Sequence, residues 1–171
     1  IYTLSLHDAL PILVITKLET FSGSSSLGDV TLSNLSAKNA DFSLSNGSLT
    51  VNDSQFESGK FKNSLGEISF NNSQISSGKI NASSGNITLS NSQFASGEIA
   101  NSLGDVNLNS SKISDSTLKI SSGSLNSEQL ELAGTISITD QLGDINLHLV
   151  SGSLSQLSFD LKTNQIGRAH V

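Results

Sequence analysis

The sequence has no cysteine, no methionine and no tryptophan, and only one proline and one tyrosine. Without cysteine there are no disulfides and no thiolate metal sites. No apolar run approaches the ~18 residues of a membrane-spanning helix. The amino terminus lacks the basic region and apolar stretch of a secretory leader. Lysine and arginine total nine against fifteen acids, for a net charge of −6. Nucleic acid binding needs clustered basic residues, so no nucleic acid partner is expected. Hydrophobic residues make up 35% of the chain and charged residues 14%. That combination resembles neither a charged disordered tail nor an ordinary charged globule. A chain of 171 residues suits a single domain.

The two ends, "IYTLSLHDALPI" and "IGRAHV", stand apart from the Ser/Asn/Gly-rich text between them. Both match in-frame translations of short-read sequencing adaptors, and both junction codons agree with the neighbouring Leu13 and Gln165. Residues 1–12 and 166–171 are therefore expected to be adaptor-derived and to pack outside any repeat. Residues 13–165 are then a repeat fragment of a longer protein.

That central text is periodic. Gly28, Gly47, Gly66, Gly85, Gly104 and Gly123 recur every 19 residues, and Gly143 follows after 20. A second column, Ala40, Gly59, Gly78, Gly97 and Ser116, keeps the same interval. Low-complexity sequence does not hold two columns in phase, and a period this short indicates a solenoid. Within each unit the apolar residues alternate, as in Val30/Leu32, Leu49/Val51, Ile68/Phe70, Ile87/Leu89 and Val106/Leu108. This is the strand period. A lone apolar residue follows (Phe56, Ile75, Phe94, Ile113), then a second short strand carrying Phe42, Phe61, Ile80, Ile99 or Leu118. Between the first two elements lie Asn34, Asp53, Asn72, Asn91 and Ser110, residue types that suit the left-handed conformation of a sharp corner.

The expected fold is an all-β parallel solenoid (a β-helix) of about seven 19-residue coils. The bias of parallel crossovers makes it right-handed. Strands stacked ~4.8 Å apart give a rod of roughly 34 Å. A single coil cannot bury its apolar face, but neighbours above and below can cover it. The conserved spacing assigns the glycines of the first column to structural turns.

A longer period of about 38 residues lies over the first. "SLGD/E" units alternate with "S(S/N)G" units, placing Asp29, Glu67, Asp105 and Asp144 directly after glycine in every second coil. Ser48, Asn86 and Ser124 fill the coils between. Carboxylates on adjacent coils would repel at ~4.8 Å. Skipping a coil doubles the gap to about the Debye length. A calcium ion needs six to eight oxygens within ~2.6 Å, which carboxylates so spaced cannot supply. They read as an exposed acidic column, with no metal and no cofactor expected.

Catalytic chemistry is scarce. Glycoside hydrolysis wants a close carboxylate pair, and the central text has neither Trp nor Tyr to hold a sugar ring. Its one histidine, His148, follows inward Leu147 and should face solvent. No His or Lys is placed as a base to activate one of the many serines. Lys60, Lys79 and Glu98 form an expected outward charge row of little energetic weight. No catalytic residue is assigned.

The run "NSLGEISFNNSQISSGKINASSGNITLSNSQFASGEIANSLGDVNL" resembles the DUF4097 family, the LiaG-like adhesin β-strand repeat proteins of Gram-positive bacteria, over about residues 20–162. The resemblance implies a repeat domain presented outside the cell, with a membrane anchor elsewhere in the parent, and a link to cell-envelope stress. It carries no catalytic residues over. The resulting expectation is a non-enzymatic scaffold at the cell surface, binding an envelope or host-surface ligand. The alternatives are a fragment of a carbohydrate-active β-helix enzyme whose catalytic coils are missing, and a purely structural stalk.

Overall fold

The computed structural model describes residues 2–6, 18–150, 158–163 and 169–170. Every strand pair in it is parallel, and the described residues contain no helix. The chain coils into a parallel β-solenoid in which each strand pairs with its counterpart one repeat away. One ladder runs Val30, Leu49, Ile68, Ile87, Val106 and Leu125 in unbroken register. This is the expected architecture, with the expected 19-residue coil.

Each coil begins with a short strand, such as Val30–Ser33, Leu49–Asn52 or Ile87–Ser90. It turns at the Asn/Asp/Ser position, runs through a longer strand, such as Ser36–Asn46, Gln55–Leu65 or Lys112–Ser122, and turns again at the glycine. In two central coils the longer strand is divided, as Gln74–Ile75 with Gly78–Ala82 and Gln93–Phe94 with Gly97–Leu103. The break precedes Gly78 and Gly97, whose φ values of 148° and 135° leave the ordinary strand region.

Alternation puts one face of every strand inside. Phe21, Phe42, Phe56, Phe61, Phe70 and Phe94 are all buried, so the described phenylalanine side chains serve the core. Three ring pairs tie the amino-terminal coils together, with centroids 4.9–5.4 Å apart. Ile, Leu and Val take over the same columns further along, ending in Ile136, Ile138, Ile145 and Leu147. Each buried side chain of this size contributes roughly 1.5–3 kcal/mol.

The 20-residue interval before Gly143 has a local cause. Pairing shifts between Ser114↔Ala133 and Ser116↔Ile136, so one extra residue bulges out beside Gly134, whose φ is 70°. The Asp115 carboxylate caps the bulge, its Oδ1 accepting the Thr135 N–H at 3.0 Å.

Residues 2–6 differ from expectation. Tyr2–Leu6 pair in parallel with Phe21–Ser25 at the 19-residue offset of the repeats. Packing outside the repeat therefore does not hold for them. Backbone hydrogen bonding is insensitive to side-chain identity, so this pairing does not bear on where the text comes from. Ala169–His170 pair with Ile145–Asn146 at an offset of 24, away from the repeat period. Residues 1, 7–12, 166–168 and 171 lie outside the described residues.

Candidate functional site

The solenoid has two corners per coil, and both sets of expected site residues, the turn glycines and the acidic column, fall at the second. Asn34, Asp53, Asn72, Asn91, Ser110 and Gln129 turn the first corner with φ between 48° and 56°. The left-handed well admits such short polar residues at modest cost. His148 follows in the last of these coils, within the strand Ile145–Leu149, where the pairing with the preceding coil shifts between Ser127 and Leu130.

Behind this corner is a feature hidden by composition. Ser54, Ser73, Ser92 and Ser111 are buried, one per coil, in a column that Leu35 and Leu130 continue at its two ends. Each serine hydroxyl accepts the backbone N–H of the coil before it: Leu35 to Ser54 at 3.0 Å, Ser54 to Ser73 at 3.1 Å, Ser73 to Ser92 at 3.0 Å and Ser92 to Ser111 at 3.2 Å. The same hydroxyls donate to carbonyls two residues back, as Ser92 does to Ser90 O at 2.8 Å. A buried N–H left unpaired would cost about 1–3 kcal/mol. The serines are thus a corner staple. Their small volume also lets the surface sink, opening a groove of about 900 Å³ across several coils.

The groove wall is a ladder of side chains 19 residues apart: Gln55, Gln74, Gln93, Lys112 and Glu131. Lys112 and Glu131 pair with each other. Among the described residues the amides of Gln74, Gln93 and Asn91 have no hydrogen-bond partner, and they face the groove with free donors and acceptors. His148 is exposed at one end, its Nδ1 3.1 Å from Ser127 O. No group of three or more His, Asp or Glu side chains converges as a metal site among the described residues.

The second corner carries the glycines. From Gly28 to Gly123 their φ values run from 101° to 136°, a region closed to other residues. Each glycine also stacks on the one before it. A Cβ on Gly85 would land on the Gly66 carbonyl, and one on Gly66 on the Gly47 carbonyl. Gly143 stacks on Gly123 in the same way.

The acidic residues sit just beyond these glycines. Asp29, Glu67 and Asp144 are exposed and Asp105 is half-buried. Two of them accept a backbone N–H of the next coil: Asp29 Oδ1 from Ser48 at 2.7 Å, and Asp105 Oδ1 from Ser124 at 2.8 Å. Glu67 Oε1 accepts the Thr88 hydroxyl at 3.1 Å. In the coil between, Asn86 plays the same part, accepting Asp105 N–H at 2.9 Å. The column thus also joins coil to coil. The outward charge row is centred on Glu98, which meets Lys79 at 2.5 Å and Lys119 at 2.6 Å. Hydrogen bonding from Lys119, then from Lys79, holds the Glu98 carboxyl below the usual carboxylate range.

Sequence reasoning missed two elements of the glycine corner. Leu27, Leu65, Leu103 and Leu142 project into solvent there, 51–60% exposed, in the acid-bearing coils. Beneath them, in the same coils, lie the buried polar residues Ser25, Asn63, Asn101 and Asp140. The alternate coils put Leu44, Ala82 and Ile120 in that inner column. The signal was present in the 38-residue alternation, three residues before each glycine.

A family model described as Toastrack DUF4097 matches residues 59–166. No curated protein and no solved structure matches the chain.

Proposed function

Since the chain belongs to the Toastrack DUF4097 family, we propose that its repeat scaffold is a non-enzymatic binding domain displayed outside the cell, holding an envelope or host-surface glycan along the Asn-corner groove. The observation that carries this reading is the set of uncommitted amides in the groove, Gln74 and Gln93 stacked on adjacent coils with Asn91 beside Gln93 at the corner. A row of donors and acceptors repeating every ~4.8 Å suits an extended polymer rich in hydroxyl and acetamido groups. The buried phenylalanines leave no stacking platform in the groove, so affinity comes from many weak hydrogen bonds along the polymer. Adhesion to a surface or monitoring of the envelope would both use such a contact.

The test is retention of the 171-residue chain on insoluble cell-wall glycan, with reducing ends assayed in the supernatant. Wild-type protein should be retained and a Gln74→Ala/Gln93→Ala variant should lose most of that retention, with no sugar released. Absence of wild-type retention, or release of reducing ends, overturns the reading.

A further inference from the structure

The glycine corner presents a second surface that coil stacking does not require. Three alternate coils close it with buried Leu44, Ala82 and Ile120, whereas the others bury a polar side chain there. Asn63 Nδ2 donates to Gly47 O at 2.7 Å and to Glu67 O at 3.3 Å, and Asn101 repeats this toward Gly85 O at 3.0 Å and Asp105 O at 3.2 Å. Asn63 Oδ1, Asn101 Oδ1 and Asp140 Oδ2 are buried with no partner among the described residues. Three of these four coils therefore carry two costs, an orphaned buried acceptor and an exposed leucine, that their neighbours avoid, while in the fourth the Ser25 hydroxyl donates to Leu27 O at 3.0 Å. Costs of this kind, repeated in phase, mark a site maintained for use.

From these features we infer that the leucine–carboxylate ridge is a docking edge for an extended, basic and apolar polypeptide segment. Each leucine is followed two residues later by an acid, and the pair recurs every second coil, ~9.6 Å along the rod. The amide clamps of Asn63 and Asn101 fix the corner under the leucines, so the ridge is presented rigidly.

Charge selects among occupants. A second copy would set its own acidic column against this one, and an anionic lipid surface would be repelled likewise. A chain carrying Lys or Arg beside an apolar side chain complements both features. Spacing selects its conformation. A polyproline II segment returns to the same face every three residues, ~9.3 Å, and stays within about 1 Å of the ridge over its three intervals. An α-helix returns after seven residues, ~10.5 Å, and drifts nearly 3 Å over the same distance.

The probe is a fluorescein-labelled peptide of four Leu-Lys-Pro triplets, with a control of equal composition whose leucines are contiguous. Fluorescence anisotropy against the 171-residue chain should show the triplet peptide binding at least tenfold more tightly than the control and weakening with salt. A Leu65→Ser/Leu103→Ser variant should lose tenfold or more in affinity while keeping the wild-type thermal midpoint, since both side chains are exposed. Gln74→Ala/Gln93→Ala should leave peptide binding unchanged, which separates this edge from the groove. Equal affinity for the two peptides, or an unaffected leucine variant, overturns the inference. So does self-association in sedimentation, or binding to phosphatidylcholine vesicles, that the leucine substitutions abolish.

Discussion

At the Asn corner the backbone turns through φ of 48–56° in six coils, and Asn, Asp, Ser and Gln all occupy it. At the Gly corner φ is 101–136° in six coils, and glycine alone occupies it. The first corner is closed from inside, by serine hydroxyls that take the buried N–H groups. The second is closed by glycine stacked on glycine, which leaves the flanking positions free to alternate. One corner repeats every coil and the other every second coil. A repeat therefore has a structural period set by its tightest packing, and a display period carried only by positions that the packing does not constrain.

The largest way to break this contrast is to put a side chain in the glycine ladder. Gly85→Ala drives a Cβ into the Gly66 carbonyl at a φ of 119° and should cost more than about 3 kcal/mol. Asn91→Gly, at the permissive corner, should stay within about 0.5 kcal/mol. Urea denaturation of the two variants checks both, and equal midpoints would remove the distinction between corners.

A smaller effect is expected from the serine staple. Ser92→Val leaves the buried Ser73 N–H without its acceptor and should destabilise by about 2–3 kcal/mol. Ser45→Val changes the same residue type on the exposed face and should lie within about 0.5 kcal/mol. A matching pair of thermal midpoints would show that the ladder is dispensable.

The smallest effect sharpens the alternation. Asp140 occupies the column of Asn63 and Asn101, and burial, with a smaller contribution from Asp144, raises its carboxyl above the ordinary 3.8. The folded state therefore holds the proton after the unfolded chain has released it. Stability falls as pH rises above 3.8, and the penalty is complete above the raised value. Asp140→Asn removes that titration and should stabilise the fold at pH 7, with the gain vanishing as pH falls below 3.8. Melts at pH 3 and pH 7 measure it, and a pH-independent gain would mean the carboxylate is ionised at no cost.

Much of this was legible in the text. Period-two apolar pairs located the strands, the glycine interval gave the coil length, and Asn/Asp/Ser marked the permissive corner. The acidic column was placed at its corner, but not its hydrogen bonds to the next coil. The groove and the ridge were not read. Ser92 and Ser45 are the same letter in a serine-rich sequence, and only the column joining Leu35 to Leu130 distinguishes the buried one. Leu65 and Leu44 are likewise the same letter, one in solvent and one in the core.

The sequence by itself thus determined the coil, its period and its register, because backbone conformation and the alternation of apolar residues are local properties that repeat in phase. Tertiary structure decided which serines are staples, which leucines are displayed and which asparagines are clamps. Those roles depend on what the coils above and below place around each side chain. The position three residues before each glycine alternates between polar and apolar in the sequence, but what the polar side chain does is settled only when the neighbouring carbonyls have closed over it.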